Sequence, residues 1–259
     1  MVTKVYNKDN NHTCIDEEGV IYFDIETTGF DKENDRIMLI SYGKIMDGEY
    51  VIKQIFADRL EEERDLLTSF LEDIREEHIW CSYNGIAFDE PFIRKRMQRL
   101  DIDLNLPEEH IDLYRLIRPY QKSLNLERCN LKTVEKYLGI NRRDRIDGGI
   151  SVGFYNMYLE TGDLELKNVI MLHNFEDVLN LPDIHKFADK ILSDPDMVRA
   201  DAITGRQRKY LEALLRENGI CLRTSMDKLS KRAASKMINS ILNGTANSFE
   251  LELIANNSY

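Results

Sequence analysis

An apolar run from Val20 to Phe23 leads directly into Asp24-Ile25-Glu26-Thr27-Thr28-Gly29. The run reads as a buried strand. Strand side chains alternate, so Asp24 and Glu26 leave it on one face. Two carboxylates held side by side repel each other and contribute nothing to packing. A bound divalent cation is the simplest compensation, since hard metals such as Mg2+ prefer carboxylate and water oxygens. For an isolated D-x-E, the ordinary alternative is a solvated strand end. Thr27 to Gly29 read as a turn, with Gly29 allowing close backbone approach by a ligand.

The stretches beyond Gly29 set the fold class. Residues 36–45 and 50–56 are β-rich and flank Asp47-Gly48, a dipeptide that favours a tight hairpin. Three antiparallel strands therefore come first. Residues 61–77 switch to helical period, with Leu66, Leu67, Phe70, Leu71 and Ile74 on one stripe. Residues 79–83 return to strand, Asn84-Gly85 turns the chain, and Asp89 stands at a helix N-cap with Pro91 in the first turn. Residues 111–116 fit a short strand or a helix start. Further helices are expected over 131–138, over 151–159, and from an Asp163 cap to about 181. Pro182 either kinks that last helix or begins its successor. The order β-β-β-α-β-α predicts an α/β domain over 19–194, a mixed five-stranded sheet flanked by helices as in the ribonuclease H-like fold. Residues 1–18 read as a loose lead-in, 195–245 as a module of two basic helices, and 246–259 as a polar tail.

Two further pieces of chemistry lie downstream. Asn84-Gly85-Ile86-Ala87-Phe88-Asp89 carries Asp89 to the sheet edge at a helix start. His173-Asn174-Phe175-Glu176-Asp177 puts His173 and Asp177 on one helix face, where both can reach one site. Alone, these would be an N-cap and a surface pair. In this order and spacing, the D-x-E, the N-x-x-x-F-D and the H-x-x-x-D resemble the DEDD superfamily of 3′-to-5′ exonucleases over about residues 20–190. The nearest likeness is to the YprB-type exonuclease domain, which residues 130–135, 149–158 and 173–179 also resemble.

The resemblance implies that Asp24, Glu26, Asp89 and Asp177 hold two divalent cations, Mg2+ or Mn2+. Asp24 would bridge both, Glu26 and Asp177 would hold the one beside the attacking water, and Asp89 would support the other. Paired cations about 3.5–4 Å apart activate that water and stabilise the leaving 3′ oxygen. His173 would orient the water or take its proton, work that an imidazole suits near neutral pH. The histidine branch of the superfamily places its His five residues before the last Asp, and the tyrosine branch places Tyr four before. Here a His stands at the tyrosine spacing. Thr27, Thr28 and Gly29 would lie against the terminal nucleotide, and Asn84 would either bond the substrate or serve the turn. Asp112 and Asp147 are expected to be structural, and His78, His110, His185 and Trp80 to be ordinary fold residues.

A net charge of −11 argues against a general nucleic-acid coat protein. Residues 196–245 run the other way, with ten Lys and Arg against five acids. Arg206, Arg208, Lys209, Lys228, Lys231, Arg232 and Lys236 fall on overlapping helix faces. Such faces hold phosphates, or form the solvated side of a helix pair. Tyr210 is the one aromatic residue among them, so base reading is not expected. Four cysteines without a C-x-x-C pair, no apolar run of membrane-spanning length and no apolar leader point to a reducing cytoplasm. The whole predicts a metal-dependent 3′-to-5′ exonuclease acting on single-stranded DNA or RNA ends. A non-catalytic nucleic-acid-binding or scaffolding protein of the same fold is the alternative, and an endonuclease of related fold is a third.

Overall fold

The computed structural model describes residues 2–9, 19–46 and 49–256. Six strands, β1 (Val2–Asp9), β2 (Val20–Thr27), β3 (Ile37–Met46), β4 (Glu49–Phe56), β5 (Ile79–Ser82) and β6 (Glu109–Asp112), form one sheet in the order β1-β4-β3-β2-β5-β6. β2 runs antiparallel to β3 and parallel to β5, and β5 runs parallel to β6. The five expected strands thus build the expected mixed sheet. The addition is β1, antiparallel to β4 at the edge, from the region read as a loose lead-in. Residues 10–18 lie outside the described residues, as does the Asp47-Gly48 turn. Its flanks pair Met46 with Glu49, as a two-residue hairpin requires.

Helices α1 (Glu63–Asp73) and α2 (Asp89–Arg99) cover one face of the sheet. There Ile21, Phe23 and Ile25 of β2 pack with Leu66, Leu67 and Phe70 of α1 and Phe92, Ile93 and Met97 of α2. Each such side chain contributes about 1.5–3 kcal/mol on burial. β6 runs straight into α3 (Leu113–Ile117), so the ambiguous stretch 111–116 is strand up to Asp112 and helix after it. α4 (Leu131–Tyr137) is followed by α5 (Gly148–Thr161), which Asp147 caps by accepting from the Ile150 N–H. Gly162 ends α5 in the left-handed region, at φ +70. α6 (Leu164–Leu179), capped by Asp163, packs with α5 on the second face, where Leu39 and Phe56 meet Tyr155, Ile170 and Met171. Pro182 lies in the first turn of α7 (Leu181–Ser193), so it begins a new helix rather than kinking α6. A buried pair, Arg96 to Glu63 through two 2.8 Å bonds, ties α2 to α1. Glu63 also accepts from the Ile37 N–H at 2.9 Å, and Arg96 donates to the Glu33 carbonyl at 3.0 Å. The turn after β2 is thereby fixed.

The chain divides into two units, one from residues 1–114 with 130–187 and the other from 115–129 with 188–259. The second unit is therefore wider than the basic module expected over 195–245. It contains α8 (Gly205–Glu217), α9 (Lys231–Leu242) and α10 (Ser248–Asn256). α9 starts at Lys231, where Ser230 caps it, after a 3-10 turn at Met226–Lys228. The polar tail expected at 246–259 is instead helical up to residue 256. Leu251 and Ala255, one turn apart, are buried with Leu211, Leu229 and Met237. No described helix is long and apolar enough to cross a membrane.

Candidate active site

Parallel pairing of β2 with β5 stops at Tyr22 and Cys81. Beyond it, β2 continues to Thr27 with one backbone edge open. Asp89 fills that edge, its Oδ1 accepting from the Ile25 N–H at 3.1 Å. The N-cap expected for Asp89 is not what it does. It is the first residue of α2, which has no side-chain cap bond, and its carboxylate is spent on β2 instead. A crevice beyond the carboxyl ends of two parallel strands is where α/β sheets gather ligands.

The loop that delivers Asp89 is held from below. Asp112, 2% exposed at the end of β6, accepts from the Asn84 N–H at 2.8 Å and the Ile86 N–H at 3.3 Å. Asn84 is left-handed at φ +70 with its side chain exposed, which suits a turn residue. A Cβ on Gly85 would collide with the Ser82 hydroxyl, so only glycine fits there. His110 clasps the same corner, with Nε2 2.7 Å from Ser82 Oγ and Nδ1 2.6 Å from Glu90 Oε2. Asp112, Asp147 and His110 therefore serve the fold, as expected.

Asp24 lies in a polar row across three strands, opposite Ser41 in β3, which is opposite Gln54 in β4. α6 closes over the row. Gln54 donates to Ser41 Oγ at 2.8 Å and to the Met171 carbonyl at 2.9 Å, Ser41 donates to Asn174 Oδ1, and Asn174 donates to Asp24 Oδ2 at 2.6 Å. From Gln54 through Ser41 and Asn174 the donors run in one direction to Asp24, so each bond along that path polarises the next. Two positions along β2, Glu26 is 6% exposed. The register shifts at Glu26 and Thr27, a bulge that turns the chain out of the sheet.

His173 and Asp177 project from one face of α6 toward Glu26. His173 Nε2 lies 3.5 Å from Glu26 Oε1 and 3.4 Å from Asp177 Oδ2. One ligand atom from each of these three residues lies within 4.8 Å of the others. Burial, then Asp89, Asp177 and Glu26, raise the Asp24 carboxyl well above its ordinary value. Burial, then Asp177, raises Glu26. Asp89 is pushed up to about 7 by burial, with Asp112 and Asp177 adding to it and the Ile25 N–H opposing. The four expected carboxylates are thus brought into one electrostatic group. A hard divalent cation fits such a set: carboxylate oxygens that destabilise one another, joined by one imidazole nitrogen.

Sequence reasoning missed the shell around His173 and Asp177. Arg142, from the α4–α5 connection, donates to Asp177 Oδ1 at 2.6 Å, Asp144 Oδ1 at 2.6 Å, Glu135 Oε2 at 3.1 Å and the His173 carbonyl at 3.1 Å. Burial works against its charge, but Asp177 and Glu135 hold its pKa above the ordinary value. Asp144 accepts from Lys132 Nζ at 2.9 Å and lies 2.6 Å from His173 Nδ1. Burial alone would raise Asp144, yet the bonds from Lys132, His173 and Arg142 bring it down to about 2. The only sequence signal was the charged run Asn141-Arg142-Arg143-Asp144-Arg145, which carries no spacing rule.

The turn residues look inward. Thr27 Oγ1 donates to the Gly29 carbonyl at 2.7 Å, and Thr28 Oγ1 donates to Asp35 at 3.2 Å while accepting from the Arg36 N–H at 2.9 Å. A Cβ on Gly29 would collide with the Asp35 carboxylate, so packing by Asp35 accounts for that glycine. Next along the chain, Phe30 is 81% exposed, its ring edge-on to Phe88 with centroids 5.9 Å apart.

Residues 21–188 match the family model of the RNase H superfamily. A DNA polymerase III of the PolC type from Clostridium perfringens (strain 13 / Type A) is 28% identical over 155 residues, 51% of this chain and 10% of that one. The chain therefore spans about a tenth of that relative's length. Among solved structures, the family B DNA polymerase of Pyrobaculum calidifontis covers 91% of this chain and 28% of its own, at 18% identity and a TM-score of 0.53. That likeness is one of fold. Brucella melitensis NrnC bound to pGG covers 92% of this chain and 86% of its own, at 14% identity and a TM-score of 0.43.

Proposed function

The chain belongs to the RNase H superfamily, and from that premise we propose that it is a metal-dependent 3′-to-5′ exonuclease acting on single-stranded nucleic-acid ends. The observation that carries the proposal is that Asp24, Glu26 and Asp89 are buried with raised carboxyl pKa values, to which the neighbouring acids, Asp177 among them, contribute. A fold-holding cluster gains nothing from such repulsion, whereas a cluster that takes up cations does. When bound, two divalent cations, Mg2+ or Mn2+, would activate water and stabilise the leaving oxygen of a phosphodiester.

The chain's own residues would do the rest. Asp24, Glu26, Asp89 and Asp177 bind the cations. His173 Nε2 faces the gap between Glu26 and Asp177, where it can orient a water or accept its proton. Phe30, next along the chain from Gly29, offers an exposed ring on which a terminal base would stack, with Phe88 beside it. The Thr27–Gly29 backbone and Asn84 would lie along the sugar and phosphate. A site of this kind would take one strand's end past the carboxylates, which favours frayed or single-stranded 3′ ends. Arg206, Lys209, Lys228, Lys231, Arg232 and Lys236 are exposed in the second unit and would raise the local concentration of a polyanion. Arg208 contributes less, since its guanidinium is bonded to Asp227.

The test is a matched degradation assay with Mn2+ on 3′-labelled and 5′-labelled DNA and RNA strands, with a circular single strand as the no-end control. Loss of the 3′ label first, with circles intact, is expected, and Asp24→Ala should abolish it in a folded protein. Untouched linear strands of both kinds would refute the enzyme, and cut circles would refute the exonuclease.

A further inference from the structure

We propose that Lys132 binds phosphate at this site: its ammonium, held by Asp144 and the Ile146 carbonyl, keeps one hydrogen for an oxygen of the strand that lies over the carboxylates. The inference rests on the nuclease reading for the identity of the strand, while its physical support is the bonding of Lys132. Lys132 lies in the first turn of α4 and belongs, with Glu26, Asp144 and His173, to the first unit. Its Nζ donates to Asp144 Oδ2 at 2.9 Å and to the Ile146 carbonyl. An ammonium has three hydrogens, and among the described residues no acceptor meets the third. The Lys132 side chain is 42% exposed where that of Asp144 is 1% exposed, so a positive charge stands at the open side of a buried acid.

The bonding also places that charge beside the site. Asp144 Oδ2, the oxygen that receives Lys132, lies 2.6 Å from His173 Nδ1. Lys132 is therefore one oxygen removed from the ring whose far nitrogen is 3.5 Å from Glu26. Its charge reaches Glu26 as well, where it works against the burial and the Asp177 charge that raise that carboxyl.

Charge balance says what the ammonium is for. Four carboxylates and two divalent cations would cancel, and each phosphodiester then brings one negative charge of its own. Arg142 cannot answer it, being 7% exposed and shared among three carboxylates and a carbonyl. The Arg143 guanidinium is bonded to Glu176 at 3.3 Å. Lys132 alone among these three is exposed at its charge with a hydrogen to give. As a fold device it adds little, because Asp144 already receives Arg142 on its other oxygen and a part-exposed lysine–carboxylate pair is weak. A compact ammonium acting as a point charge suits a single phosphate oxygen.

The test is binding of a fluorescein-labelled oligothymidylate to the full chain, read by anisotropy in Mn2+ from about 50 to about 300 mM KCl, with Asp24→Ala in every protein so that the strand stays intact. Lys132→Met should weaken binding on the order of tenfold at low salt, the effect of one charged hydrogen bond. The slope of log affinity on log salt should become shallower by about 0.7, the loss of one phosphate contact on a single strand. Lys132→Arg should keep the parent slope. A lysine that only supported the fold would leave the slope where it is. An unchanged slope in Lys132→Met therefore overturns the proposal, and so does a parent protein that binds no strand or an arginine variant that loses as much as methionine. Should Lys132→Met fail to fold by Trp80 fluorescence, Lys132→Gln, which keeps an N–H donor for Asp144, is read in its place. The nuclease reading is judged separately, with Asp24 restored. Cleavage without a Lys132-dependent slope leaves that reading standing and removes this one, whereas a Lys132-dependent slope without cleavage does the reverse.

Discussion

Asp89→Asn separates the charge of the site from its shape. Asp89 is 5% exposed, and an asparagine keeps a carbonyl for the Ile25 N–H while discarding the negative charge. In metal-free protein, burial and its acidic neighbours hold the Asp89 pKa at about 7, whereas the unfolded chain releases that proton near 3.8. The folded form therefore binds more protons between those two values. Its stability is full below about pH 4 and falls as pH rises toward 7. At about 1.4 kcal/mol per pH unit, the loss by pH 8 is on the order of 4 kcal/mol. Asp89→Asn escapes it. In EDTA at pH 8 the variant should be more stable than wild type by a few kcal/mol, and at pH 4 the two should be nearly equal. Urea unfolding followed by tryptophan fluorescence measures this cleanly. Trp80 is the chain's one tryptophan and is fully buried in β5, within the same unit as Asp89. Adding Mn2+ should reverse the order, because a cation bound by the folded form stabilises wild type more. A variant no more stable than wild type at pH 8 in EDTA, or one with the same advantage at pH 4, refutes the reasoning.

Asn174→Ala removes the last donor of the relay to Asp24 and should raise the half-saturating Mn2+ concentration by about 10–100-fold, the usual cost of losing a partner behind a ligand. Electron paramagnetic resonance titration of Mn2+ measures it directly, and unchanged affinity means the relay does not hold Asp24. Phe30→Ala should raise KM for single strands by about 5- to 150-fold, the equivalent of about 1–3 kcal/mol of stacking on one base. Its kcat should move little, and an unchanged KM removes Phe30 from the substrate path.

The fold was legible because its signals are periodic or local. An apolar run exposed the strand carrying Asp24, the 3.6-residue stripe exposed α1, and Pro182 marked a real boundary. β1 was hidden because an edge strand is completed by pairing with β4, which local composition does not encode. α10 was hidden for a related reason. Burial of its Leu251 and Ala255 depends on a core supplied by α8 and α9. At the site, strand and helix spacings paired Asp24 with Glu26 and His173 with Asp177, and the family resemblance implied the set of four carboxylates. Asn174 sits inside the same motif, yet its partner Ser41 is 133 residues away. Arg142 and Asp144 come from an irregular connection, where no period constrains direction. Their roles follow only from which side chains the tertiary fold brings against them.

Arg142 should answer mutation with the opposite sign to Asp89, although both adjoin Asp177. Its guanidinium, 7% exposed at the side chain, is shared among Asp177, Asp144, Glu135 and the His173 carbonyl. Arg142→Met fills similar volume but leaves three carboxylates without their common cation. Removing one partner of a buried ion pair costs about 3–5 kcal/mol, since the charge left behind stays desolvated. Lysine would not restore it, because a single ammonium cannot serve four acceptors that a planar fork reaches together. In EDTA at pH 8, by Trp80 fluorescence, Arg142→Met should therefore lose about 3–5 kcal/mol where Asp89→Asn gains. The two signs define two kinds of acid in one site. Asp144 is neutralised by the chain itself, Glu135 is bonded by Arg142 and Asn180, and both belong to the fold. Asp24, Glu26 and Asp89 are left to repel one another, and their offset has to come from outside the chain. Arg142→Met with wild-type stability would mean that the chain does not neutralise its own shell, and the division would collapse.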